Sequence, residues 1–235
     1  MLKGKNVIVI GGSSGIGLAT AIAVAAEGAR VLAMGRDLAK LARVKSQHPQ
    51  LTTVQIDLCN DESVHNAFAP VSAIDHVYIS AGTVEAAALL TTPLHKLQAP
   101  FNERVFGALR VVHAAVPKMR GGSITFTTGD LVDRPVPGVA AVSAAAAAVE
   151  SLAKTCALEL APTRFNVVSP GAVDTPLYTA IFGEQREAAL AAQAAKLPGK
   201  KVGSAAELAR AVLLLMTNEY INASVLHVDG AIRYV

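Results

Sequence analysis

Residues 6–10 read NVIVI, the next seven are GGSSGIG, and a pattern of small and apolar residues then continues to residue 27. An apolar strand that runs into a glycine-rich turn and opens directly into a helix confines a chain to few architectures. Glycines allow the tight turn and let backbone approach a pyrophosphate, whose charge then rests on the free amides and positive dipole end of the helix. In that context Gly11, Gly15 and Gly17, with Ser13, Ser14 and Ile16 between them, predict a dinucleotide-binding turn rather than a turn that binds nothing.

The same strand-then-helix alternation runs down the chain. Short β-branched or aliphatic runs at 6–10, 31–34, 54–56, 76–79, 123–127, 165–168 and 225–228 suit buried parallel strands. Helical patterns lie between them at 16–27, 38–45, 62–68, a segment ending near Met119, 140–160 and 205–216. Repeated this way, they predict right-handed crossovers and an α/β fold: a Rossmann-like doubly wound parallel sheet of about seven strands with helices on both faces. A length of 235 residues, 52% hydrophobic and only 17% charged, suits one compact domain spanning 1–235. The stretch 174–199, rich in Ala and ending in Pro198-Gly199, breaks the alternation and is expected to be an irregular insertion that covers a substrate.

Several function classes drop out. The net charge is +3 and the Lys and Arg residues are scattered, which argues against nucleic acid as a partner. Lysines and an apolar run at the start imitate a signal peptide, but GGSSG breaks the run early, and no stretch reads as long and apolar enough for a bilayer. A cytoplasmic protein without a membrane partner is therefore expected. Cys59 and Cys156 form no C-x-x-C pair and suit free thiols, and the six histidines lack metal-ligand spacing, so no metal is expected.

With its G-x-x-x-G-x-G spacing the first turn resembles that of the short-chain dehydrogenase/reductase family, and the resemblance covers nearly the whole chain. It includes Asp57-Leu58 after the third strand, Ser80-Ala81-Gly82 after the fourth, ALELAP at the end of the long helix, RFNVVSPGAVDTP from Arg164 to Pro176, and LHVDGA, which resembles the family's closing V-D-G-G. Ile10 stands where the family usually has Thr, and Ile79-Ser80 replace its usual Asn pair. The resemblance implies that Asp57 and Leu58 flank an adenine, that Ala81 and Gly82 pass close to the ribose, and that Val173 and Thr175 lie near the nicotinamide, with Pro170 and Gly171 completing the set. At the end of the second strand the chain reads MGRD. Gly35 occupies the place of the carboxylate that would bind a ribose 2′-OH, and the planar guanidinium of Arg36 suits a 2′-phosphate, which predicts NADP(H). A surface role for Arg36 and a helix cap for Asp37 are the plain alternatives.

The long helix carries the departure that matters most. Where the family's sequence resembles AAYSASKAAV, this chain has AAVSAAAAAV, which puts Val142 at the position of the catalytic Tyr and Ala146 at that of the Lys. Counting back, Gly129 falls at the serine position, with Thr128 adjacent but expected to point elsewhere, and Arg104 in NERVFG falls where the family has Asn. Loss of the proton donor alone forfeits on the order of 10² to 10⁴ in rate, so ordinary ketone and alcohol chemistry is not expected. Two readings follow. One is an oxidoreductase with a rearranged site, in which Arg104, Asp130 and Tyr178 are the candidate catalytic groups, each with an ordinary alternative in a salt bridge, a turn or a packed lid. It would suit substrates that need little acid help, such as an iminium ion or an activated C=C. The other is a noncatalytic NADP(H)-binding sensor or partner subunit. Either binds an unidentified small molecule and, by the resemblance, forms a homodimer or homotetramer.

Overall fold

The computed structural model describes residues 2–235. Among the described residues, nine strands follow one another in the order β1 (Asn6–Ile10), β2 (Arg30–Gly35), β3 (Thr52–Gln55), β4 (Ile74–Ile79), β5 (Met119–Thr127), β6 (Arg164–Pro170), β7 (Val173–Asp174), β8 (Gly203–Ser204) and β9 (Val225–Val228). Seven of them form one parallel sheet ordered β3-β2-β1-β4-β5-β6-β9, while β7 and β8 pair in a short ladder of their own. Between the strands lie α1 (Gly15–Ala26), α2 (Leu38–Gln47), α3 (Asp61–Phe68), α4 (Leu94–Phe101), α5 (Gly107–Ala115), α6 (Ala140–Glu159), α7 (Pro176–Phe182), α8 (Arg186–Lys196) and α9 (Ala205–Thr217).

Period-two alternation on β1 divides the core. Ile8 and Ile10 join one buried cluster with residues of α3, α5 and α6, whereas Val7 and Val9 join a second with residues of α1 and α9. Both faces of the sheet are thereby covered, as the near-continuous apolar strands require. After β1 the chain builds outward to β2 and β3, then returns to place β4 on the other side of β1. That reversal opens a crevice at the carboxyl ends of β1 and β4, where ligands of this architecture bind.

The structure departs from the sequence-based expectations in several places, the β7–β8 ladder among them. The third strand is Thr52–Gln55 rather than 54–56, with Ile56 buried just beyond it. The helix expected to end near Met119 stops at Ala115 ahead of Pro117, whose ring cannot continue it, and Met119 already begins β5. The stretch 174–199 is largely helical, because Pro176 suits the first position of α7 and the Ala-rich REAALAAQAAK of α8 has high helix propensity. Finally, α6 is long and apolar enough to cross a membrane by length and composition, contrary to the expectation above; here it packs on β6 and buries Val142, Ala145, Ala146, Val149, Ala153, Cys156 and Ala157.

Candidate active site

The glycine turn is shaped by contacts that admit no side chain. Gly11 and Gly15 have φ of +83° and +53°, in the left-handed region that favours glycine. A Cβ on Gly11 would stand 2.6 Å from Ser80 Oγ, and one on Gly17 would meet both the Gly11 carbonyl and, at 2.5 Å, the same Ser80 hydroxyl. The turn after β1 and the loop after β4 thus touch through glycine, and Gly17 is buried behind the surface that Ser13, Ser14, Gly15 and Ile16 present to a cavity of about 360 Å³.

That cavity runs along the carboxyl ends of β1, β2 and β4. Asp57, Leu58, Ala81, Gly82 and Thr175 line it, and Asp57 shapes its own loop by accepting a hydrogen bond from the Cys59 amide at 2.9 Å. Arg36 stands at the rim, and Asp37 caps α2, accepting from the Lys40 amide at 3.0 Å. Lys40, in the first turn of α2 just past Arg36 and the capping Asp37, lines the same cavity, and the sequence reading missed it. A glycine-rich turn, amides at the start of α1 and two cations at the far end fit a phosphorylated dinucleotide.

A second, smaller cavity of about 170 Å³ adjoins the first and shares Ile16, Ser80, Gly82 and Thr175 with it. Arg104, Asp130 and Tyr178, distant in sequence, all line it, and Gly129, Val142 and Ala146 form part of its wall together with Pro170, Gly171 and Val173. Arg104 rises from a π-helical turn at Asn102–Phe106 that joins α4 to α5 just after Pro100. Such turns are uncommon and recur at functional sites. Its guanidinium lies against Gly82, where a Cβ would come within 2.7 Å of Nη1; Nη2 donates to the Thr83 carbonyl at 2.8 Å, and the buried Nε has no partner among the described residues. Burial pushes its pKa down, opposed by the Glu103 charge.

Asp130 sits in a short 3-10 turn, and burial raises its carboxyl above the usual range. Burial also raises Tyr178, with the Asp130 charge adding to the effect, and its ring packs on Phe182 with centroids 5.3 Å apart. Neither group bonds another side chain among the described residues. The neighbouring hydroxyls are committed instead: Thr127 donates to the Tyr78 hydroxyl at 2.9 Å, and Thr128 donates at 2.9 Å to Glu150, a carboxylate on α6 that the sequence reading did not single out. The charged or titratable groups that line the cavity are thus one cation, one carboxyl of raised pKa and one phenol, with the hydroxyls of Ser80 and Thr175 beside them.

A doubly wound sheet with a glycine turn at its topological switch point defines a dinucleotide-binding domain. Residues 10–232 match the family described as Enoyl-(Acyl carrier protein) reductase. The chain is 34% identical to the Short-chain dehydrogenase/reductase ucsE of Acremonium sp, over 97% of this chain and 95% of that one. It is 32% identical to the Short-chain dehydrogenase/reductase malC of Malbranchea aurantiaca, over 98% and 95%. The structure described as MalC Reductase/Diels-Alderase from Malbranchea aurantiaca has a TM-score of 0.91 at 30% identity, covering 97% of this chain and 96% of that one. A small-chain dehydrogenase in complex with NADPH has a TM-score of 0.84 at 28% identity, over 97% and 98%. The chain belongs to the short-chain dehydrogenase/reductase family, an oxidoreductase family that binds nicotinamide cofactors.

Proposed function

We propose that the protein is an NADP(H)-dependent reductase with a rearranged active site, acting on a small molecule whose reduction needs little acid catalysis. The observation that carries this reading is the convergence of Arg104, Asp130 and Tyr178 on one cavity whose wall includes Val142 and Ala146. When bound, the reduced nicotinamide supplies a hydride equivalent. Around the substrate, the permanently charged Arg104 stabilises negative charge on a carboxylate or a developing enolate but is a poor proton donor. Tyr178, a phenol protonated at neutral pH, has a proton to give, although burial makes it a weaker acid than a free tyrosine. Asp130, when ionised, stabilises a cationic group such as an iminium ion, whose reduction requires no added proton. Val142 and Ala146 exclude water without offering a donor. Simple ketones, which need a donor beside the forming alkoxide, are poor substrates on this reading.

Arg36 and Lys40 at the cavity's far end support NADP(H) over NAD(H), as does the NADPH bound by a structural relative. Assembly into a homodimer or homotetramer belongs to the same reading, since Leu94, Phe106 and Leu158 on α4, the π turn and α6 are 71%, 53% and 83% exposed. Titration calorimetry tests the cofactor. The protein should bind NADPH more tightly than NADH, and Arg36→Ala, removing one charge-assisted contact, should weaken NADPH about 10- to 100-fold while leaving NADH nearly unchanged. Equal affinities in the unmodified protein would defeat the assignment. NADPH binding without turnover of iminium or activated-alkene substrates would leave a noncatalytic binding module.

A further inference from the structure

The cations that line the far end of the larger cavity each face a carboxylate, and each carboxylate is anchored by its other oxygen. Glu103 Oε2 accepts from the Thr83 amide at 2.8 Å and from the Thr83 hydroxyl at 2.7 Å, while Oε1 stands 3.9 Å from Arg36 Nη2. Asp37 Oδ1 accepts from the Lys40 amide at 3.0 Å, while Oδ2 stands 3.9 Å from Lys40 Nζ. Two cations and two carboxylates sum to no formal charge, an unexpected balance for a place that receives a phosphate.

In the first pair the partners differ in freedom. The Glu103 side chain is only 12% exposed and doubly held by Thr83, whereas that of Arg36 is 61% exposed and pairs at long range. The fixed partner is the acid. We propose, building on the NADP(H) reading, that Glu103 is a specificity-determining residue: its carboxylate is the anion a 2′-phosphate must displace from Arg36, and it tempers the preference for NADPH. An arginine already paired gains less from the phosphate than a free one, and the anchored carboxylate remains as a like charge at the edge of the subsite. The ribose hydroxyl of NADH, being neutral, meets no such opposition. Both grips come from consecutive residues of the π turn: Glu103 takes the two donors of Thr83 and Arg104 takes its carbonyl.

Calorimetric titration of the intact protein with NADPH and with NADH, at low salt and at roughly 0.5 M salt, tests the inference. Glu103→Gln keeps the shape and an acceptor for Thr83 but removes the charge. It should tighten NADPH about threefold to tenfold at low salt, change NADH by less than about twofold, and lose most of the gain at high salt. In the Arg36→Ala background the same exchange should gain markedly less, since no ion pair remains to be displaced. Glu103→Asp disturbs the loop but retains the charge, and should leave the ratio of the two affinities near that of the unmodified protein. Equal changes for both cofactors in Glu103→Gln, or an altered ratio in Glu103→Asp alone, would reduce Glu103 to a loop anchor and overturn the inference. A full gain without Arg36 would overturn the displacement. Failure of the underlying NADP(H) reading has a separate signature: no NADPH preference in the unmodified protein and no effect of Arg36→Ala.

Discussion

Arg104 is the residue on which the chemistry of the smaller cavity turns. Its Nη2 is held by Thr83 while its buried Nε has no partner among the described residues, and an unsatisfied buried donor is costly unless a ligand completes it. Arg104→Ala should therefore abolish any reductase turnover found while changing NADPH affinity by less than about twofold, because the glycine turn and Arg36 hold the cofactor elsewhere. Parallel calorimetry and NADPH-oxidation assays separate the two effects; a large loss of NADPH affinity would assign Arg104 to the cofactor instead. Gly17 sets a different kind of limit. Its missing Cβ is where the Gly11 carbonyl and the Ser80 hydroxyl already lie, so Gly17→Ala forces the turn apart. We expect a loss of about 1–3 kcal/mol in thermal unfolding together with lost cofactor binding.

The elements around the site are held by local devices that a reader of sequence can recognise. Ser204 and Glu207 form a reciprocal capping box at the start of α9, the helix that packs on α1 behind the glycine turn. Ser204→Ala should cost about 0.5–2 kcal/mol of stability in chemical denaturation. Lys201 and the two Ser204 donors pull the Glu207 carboxyl from its ordinary 4.5 down to about 2. Because the folded-state pKa is depressed, the stabilisation is fully present above about pH 4.5 and fades as pH falls toward about 2. The stability gap between the unmodified protein and Glu207→Gln should close over that window; a gap that persists at the lowest pH would show that packing rather than charge holds the cap. Asp37 in S/T/D/N position before α2 was equally readable, whereas the π turn was not, since nothing in NERVF announces a widened turn without the Thr83 loop that it grips.

On the scale of the whole molecule, one buried histidine ties the sheet's stability to pH. His76 on β4 lies opposite Ser123 on β5 in the strand register and shares a hydrogen bond of 2.9 Å with its hydroxyl. Burial lowers its pKa from 6.5 to about 4, opposed by Asp75 and reinforced by Arg164 and Lys5. The neutral ring is the folded form, so its contribution is complete above pH 6.5 and is lost as pH falls toward about 4. The loss is on the order of 3 kcal/mol. His76→Gln should flatten stability across that interval in denaturation curves taken at successive pH values; an unchanged slope would place the acid sensitivity elsewhere. The sequence by itself determined the glycine turn and the alternation of strands and helices that builds a doubly wound sheet, because glycine spacing and apolar patterning act within a few residues of one another. It also carried the identities of Arg104, Asp130, Tyr178 and Val142, but not that they share one cavity. Helices α7 and α8 were misjudged because propensity is a weak signal beside an expected loop. Only the tertiary structure decided that Glu103 faces Arg36, that Thr128 gives its hydroxyl to Glu150 and that Arg104 lies on Gly82. Those pairs join segments about 20 residues or more apart, and their distances follow from how strand ends and loops close over the crevice, a property of packing that no local pattern encodes.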